Sequence, residues 1–163
     1  MPRPAGFVYP DAQGFFNPPS MRDALRSALT ESGQRAPQDP ISLTRICLDS
    51  LALRYASVIR TIEQLTGERV EGIHIVGGGA QNDYLNQATA NATGRPVLAG
   101  PVEATGLGNL LVQAVACGVT SLAEGRLRIA ESFPLRRFEP VDSAAWESAA
   151  AQYEAIEQQA CPP

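Results

Sequence analysis

The chain has 163 residues, 44% of them apolar and 6% aromatic, with a formal net charge of -4. That length fits one ordinary domain with a single core, and the composition is neither disordered nor fibrous. The acidic balance argues against binding nucleic acid, which needs a basic surface to neutralise phosphates.

All 13 basic residues are arginine. Chemistry that needs a lysine from this chain, such as a P-loop or Schiff-base lysine, is thereby excluded. Cys47, Cys117 and Cys161 are far apart and odd in number, without a CxxC pair. A disulfide framework or zinc site is not expected, and a reducing cytoplasm fits. Cys47 and Cys117 are expected as small core residues on helices, and Cys161 as an exposed tail residue. No apolar stretch near Met1 has signal-peptide length and no segment approaches a membrane span, so a cytoplasmic chain with no membrane partner is expected.

Residues 1–20 carry Pro2, Pro4, Pro10, Pro18 and Pro19 among Phe7, Tyr9, Phe15 and Phe16. Proline removes donors and fixes φ, so this segment reads as irregular backbone packed on something by its aromatics. Such an opening suggests that further chain precedes it. Ser20 with Asp23 reads as a helix start, and Gly33 follows its end. Asp39-Pro40 supplies the next cap and a first-turn proline. A long helix should follow to Thr66, stopped by Gly67. Its expected buried stripe is Leu48, Leu51, Tyr55, Val58, Ile62 and Leu65.

The β-branched run from Val70 to Val76 reads as a buried strand, ended by Gly77-Gly78-Gly79. Asn82 and Asp83 open a helix that closes at Gly94, and residues 96–98 read as a second strand. Gly100-Pro101 is a turn. Residues 103–117 are apolar on most sides, so this helix is expected to be buried. Ser121 and Glu124 form a capping box for another helix. An extended piece between Pro134 and Pro140 follows, then an acidic helix over 144–159 with Trp146, Tyr153 and Ile156 as anchors. The order belongs to an α/β class, helix-rich with few strands. The organisation expected is an irregular segment 1–20, a main unit 21–140 and an acidic helical tail 141–163.

One local feature has chemical potential. A strand feeds Gly77-Gly78-Gly79-Ala80-Gln81-Asn82, and the loop feeds a helix start. Bare glycines admit a ligand close to the backbone, and unpaired amides at a helix start favour a phosphate. The loop is neither a Walker loop nor a GxGxxG dinucleotide loop. Asn82 is an N-cap, with its amide also free to meet a polar ring. His74 reads as a core or edge side chain, and Glu103 as a helix-capping charge. Arg126, Arg128, Arg136 and Arg137 read as a solvated face.

The runs His74 to Asn82, Leu85-Asn86-Gln87 and Gly94-Arg95-Pro96-Val97 resemble the C-terminal domain of the FGGY carbohydrate kinases. Gly100 to Thr105, continuing through Leu107-Gly108-Asn109 to Val112-Gln113, is similar to the rhamnulokinase branch. So are Ser50 to Tyr55 and Phe16-Asn17-Pro18-Pro19, so the resemblance covers about residues 9–140. It implies part of the C-terminal lobe of an actin-like, ribonuclease-H-like sugar kinase. Such a kinase binds ATP with Mg²⁺ between two lobes and phosphorylates the 1-hydroxyl of a ketose, L-rhamnulose. By that resemblance Gly78, Gly79 and Ala80 would approach the ATP phosphates, and Asn82 the adenosine side.

The family's N-terminal lobe and its catalytic aspartate segment have no counterpart here. Asp11, Asp23, Asp39, Asp49, Asp83 and Asp142 lack the matching context, so no catalytic residue is carried over. Phosphoryl transfer needs both lobes to frame the same phosphates, so the chain alone is expected to be inactive. The alternative is a non-catalytic module, derived from a kinase lobe, that binds a nucleotide or a partner.

Overall fold

Four side chains cap the helices where the sequence places starts. In the computed structural model, which describes residues 6–141 and 143–160, Ser20 Oγ accepts from the Asp23 amide, before α1 (Met21–Glu31). Asp39 accepts from Ser42 at 2.7 Å before α2 (Pro40–Thr66). Asn82 caps α3 (Asp83–Thr93), and Ser121 caps α5 (Leu122–Ser132). Gly67 and Gly94 end α2 and α3 in the left-handed conformation that favours glycine. The remaining helices are α4 (Ala104–Ala116) and α6 (Ser143–Ala160).

The sheet has β1 (Ile73–Ile75), β2 (Val97–Ala99) and β3 (Arg136–Phe138) in that order. β1 and β2 run parallel with α3 as their crossover, and β3 lies antiparallel to β2, with Ala99 opposite Arg136. The Ile73 amide donates to Pro96 O and the Gly100 amide to Ile75 O, each at 2.9 Å. Residues 73 and 75 therefore face β2, which turns the backbone groups of His74 to the other edge.

The strand expected from Val70 is shorter. The Val70 amide donates to Glu63 Oε1 at 2.8 Å, and its carbonyl accepts from Arg95 Nε at 2.6 Å. Both backbone groups are spent on side chains, so pairing starts only at Ile73.

Two apolar clusters make the core. One joins Phe7, Ala52, Leu53, Leu85, Ala88, Trp146, Ala149 and Tyr153. It thus takes residues from the proline-rich start, from α2 and α3, and from α6. Arg54 ties the same parts by pairing with Asp11 at 2.7 Å and Glu157 at 2.5 Å. The second cluster joins Val8, Leu25, Leu29, Leu43 and Ile46. Between them, Phe7 and Val8 of the irregular segment receive their backbone bonds from side chains. Gln34 accepts from the Phe7 amide at 2.8 Å and donates to its carbonyl at 2.7 Å, and Ser50 Oγ accepts from Val8 at 3.0 Å.

Three burial expectations are corrected. On α2, Tyr55, Val58, Ile62 and Leu65 are exposed, whereas Leu43, Ile46, Ser50, Ala52, Leu53 and Ala56 are buried. Small residues let α3 approach closely, so the helix turns its alanine face inward rather than its bulkiest one. Helix α4 has no buried residue at all; Leu110 and Val112 are exposed, because only α5 packs substantially along it in the described residues. Cys47 is half-buried and Cys117 exposed, not core residues, and Cys161 lies outside the described residues. Among the described residues no helix is long and apolar enough to cross a membrane.

Candidate functional site

β1 ends because Gly77 takes φ 76° and ψ -159°, a conformation essentially reserved for glycine. Its amide donates to Pro101 O at 3.1 Å. Gly78–Gln81 then close a 3-10 turn, with the Ala80 amide on Gly77 O and the Asn82 amide on Gly79 O, both at 3.1 Å. Asn82 reverts to extended backbone, and its Oδ1 accepts from the Leu85 amide at 3.0 Å, the expected cap. Helix α3 is anchored behind the loop by Tyr84, whose hydroxyl donates to the buried Asp49 at 2.6 Å. Burial, then Asp49, pushes the Tyr84 phenol up to about 12.

Gly78, Gly79, Ala80 and Asn82 are thus gathered on one short loop at a helix start. They differ in surroundings. A Cβ added at Gly78 would meet nothing within 4 Å, and one at Gly79 only Ile75 Cγ2 at 3.7 Å. Neither residue has positive φ. Both are exposed, and the fold needs glycine at neither. Ala80 lies buried beneath them. Its carbonyl accepts from Asn86 Nδ2 at 2.9 Å and also from Arg136.

Asn86 and Arg136 are the residues that the sequence reading missed here. Asn86 is fully buried; besides standing in the run Leu85-Asn86-Gln87, it is signalled by an amide four residues after the cap on the inward face of α3. Arg136 is exposed on β3, as a solvated face predicts, yet its guanidinium is bonded on two sides. Besides Ala80 O it pairs with Asp83, and its guanidinium lies 5.8 Å from the Phe138 ring centre. Of the other three arginines, Arg128 pairs with Glu124 and Arg137 with Glu139, while Arg126 is exposed.

A cleft of about 370 Å³ opens beside the loop, walled by Ala80, Gly100, Pro101, Val102, Phe133 and Arg136. It lies at the carboxyl ends of the parallel strands β1 and β2, where open α/β sheets bind ligands. Glu103 also lines it, at the N-cap of α4, but its side chain makes no capping bond, contrary to expectation. His74 is on the exposed face of β1 and donates from Nε2 to Gly100 O at 2.5 Å, bracing the opposite turn. Among the described residues no three His, Cys, Asp or Glu gather where they could hold a metal ion. What the arrangement offers is backbone donors at a helix start beside an apolar wall, groups that bind and position an anionic ligand.

Comparison with known proteins agrees with this architecture. A rhamnulokinase of Bacteroides thetaiotaomicron is 43% identical over 87% of this chain, and one of Pectobacterium atrosepticum 44% identical over 86%. The chain spans only 30% and 28% of those two proteins. Among solved structures, xylulose kinase from Rhodospirillum rubrum superposes with a TM-score of 0.57 at 18% identity, over 78% of this chain and 25% of that one, a likeness of fold. Residues 2–117 match the C-terminal domain of the FGGY family of carbohydrate kinases. Strand, glycine loop, capped helix and matching sequence agree: the chain belongs to the FGGY family of carbohydrate kinases, as part of its C-terminal domain.

Proposed function

We propose that this chain supplies the C-terminal share of the ATP site of a rhamnulokinase, an enzyme that transfers the γ-phosphoryl group of ATP to the 1-hydroxyl of L-rhamnulose. The observation that carries the reading is Gly78: exposed, unstrained, with open space where a side chain would go, at the head of a turn beside a cleft. The fold does not require a glycine there; a phosphate approaching the backbone does. The first amides of the turn, at Gly78 and Gly79, have no acceptor within it and would donate to phosphate oxygens. Ala80 supports them from below, and Asn82 stands at the adenosine side while capping α3.

Binding and orientation are this chain's share of the reaction. Mg²⁺ would accompany the ATP phosphates; among the described residues no three His, Cys, Asp or Glu gather to hold a metal ion without them. The base toward the sugar hydroxyl, and the sugar's own contacts, belong to the remainder of the kinase. Two surfaces suit that remainder: the edge of β1 that no strand pairs among the described residues, and the exposed Leu110, Val112, Leu122 and Leu127 of α4 and α5. A cytoplasmic enzyme of rhamnose catabolism is the setting that fits.

The test is reconstitution. The chain is mixed with a separately produced N-terminal portion of a rhamnulokinase, and ADP formation is followed with ATP, Mg²⁺ and L-rhamnulose. Neither part alone should turn over, and the mixture should. Phosphorylation by the pure chain would overturn its dependence on a second part. A mixture that associates but never binds ATP would remove the nucleotide reading.

The alternative, a non-catalytic binding module, has one observation in its favour. The core closes on itself, from Phe7 through α2 and α3 to Tyr153. Cooperative melting of the monomer, with neither nucleotide nor lobe bound, would favour it.

A further inference from the structure

The carbonyl at the end of the glycine loop is held from two sides. Asn86 donates to Ala80 O from within α3, and Arg136 donates to the same oxygen from β3. Through its other terminal nitrogen Arg136 pairs with Asp83, the first residue of α3. One planar guanidinium thus spans the loop's last turn and the first turn of the helix. Arginine's fork suits such a two-point contact, whereas a lysine ammonium would serve as a single point charge. The position of Arg136 is itself fixed, by strand pairing with Ala99 and by the Phe138 ring.

Charge gives the contact a second consequence. The Asp83 carboxylate stands one residue after Asn82, at the same helix start that would receive phosphates. Unpaired, it would repel a polyphosphate; paired with Arg136, it presents little net charge. Arg136 also lies beyond residues 2–117, the stretch that matches the family's C-terminal domain. The strand carrying it nevertheless reaches back to the loop.

We propose that Arg136 is a positioning residue for nucleotide binding, which holds the turn Gly78–Gln81 in its receptive shape and neutralises Asp83. The proposal rests on the reading of this loop as a nucleotide loop. The experiment separates the two by using Arg136→Ala and Arg136→Lys in the full chain, with two readouts. The first is amide hydrogen exchange without nucleotide. The Ala80 and Asn82 amides are hydrogen-bonded within the turn, so their protection reports its shape.

Arg136→Ala should speed exchange at these two amides about tenfold, with the amides of α2 and the second half of α3 unchanged; Arg136→Lys should recover part of the protection. The second readout is titration with ATP, where Arg136→Ala should weaken binding about tenfold and Arg136→Lys less. A general loss of stability would raise exchange throughout and would overturn the proposal. Unchanged exchange at Ala80 and Asn82 would overturn it too, as would loosened exchange with undiminished ATP affinity. In these cases a wild-type chain that binds ATP leaves the nucleotide reading standing. A wild-type chain that takes up no ATP even when combined with the N-terminal portion of a rhamnulokinase removes that reading, and the proposal with it.

Discussion

Gly77 and Gly78 are neighbours whose replacement by alanine should move stability in opposite directions. At Gly77 the backbone sits at φ 76° and ψ -159°. A Cβ there has room, its closest neighbour being Val102 O at 3.9 Å, so conformation and not crowding sets the cost. Holding a non-glycine residue in that region costs about 1–3 kcal/mol. At Gly78 neither strain nor crowding applies. Alanine there restricts only the unfolded chain and should stabilise by about 0.4–1 kcal/mol.

For a chain of this size each kcal/mol moves the melting temperature by about 2–4 °C. Gly77→Ala should therefore melt several degrees lower, and Gly78→Ala slightly higher, in thermal unfolding followed by circular dichroism. ATP titration should report the reverse of that stability gain. A methyl group over the loop displaces a phosphate from amides whose charge-assisted bonds are worth about 1.5–3 kcal/mol. That corresponds to roughly 10- to 100-fold weaker binding for Gly78→Ala. A Gly78→Ala chain that melts higher and binds ATP as the wild type does would refute the assignment of this glycine to a ligand. One that melts well below wild type would refute the claim that the fold leaves the position free.

Three further predictions concern the scaffold. Tyr153 is fully buried edge-on to Phe7, with ring centres 6.4 Å apart, and its hydroxyl has no hydrogen-bond partner among the described residues. Tyr153→Phe should hold or raise stability by about 1 kcal/mol, and Tyr153→Ala should lose about 3–5 kcal/mol in urea unfolding. Gln34→Ala removes both bonds to the Phe7 backbone and should cost about 1–3 kcal/mol, with exchange accelerated first at the Phe7 amide.

The last prediction concerns pH. Burial holds the Asp49 carboxyl protonated above its usual range, against the opposing pulls of Tyr84 and Arg45. The folded chain therefore keeps a proton that the unfolded chain has lost. This contribution to stability is fully present below the ordinary value of 3.8 and is lost as pH rises through the folded value. The unfolding free energy of wild type minus that of Asp49→Asn should accordingly decline across that window. A flat difference, or one that rises with pH, would contradict the burial argument.

Local chemistry made a good share of this protein legible in its residues. Ser20, Asp39, Asn82 and Ser121 mark helix starts because a short side chain can satisfy an amide three residues on, and Gly67 and Gly94 mark ends because only glycine turns left without strain. Those rules act within a few residues, so no partner had to be known. The glycine loop was readable for the same reason. Burial was not, because it depends on what lies opposite. Leu110 and Val112 are apolar enough for a core yet exposed, and α2 buries Ala52 and Ala56 while Ile62 and Leu65 face outward. Val70 leaves the strand only because Glu63 and Arg95, distant in sequence, take its backbone groups. Arg136 lies more than fifty residues beyond the loop that it holds, and nothing in its own neighbourhood of the chain distinguishes it from Arg137. Strand pairing turns the first guanidinium onto Ala80 and Asp83 and leaves the second beside Glu139. Cap and turn were decided by bonds between near neighbours in sequence; core and clamp by contacts that exist only after the chain has closed.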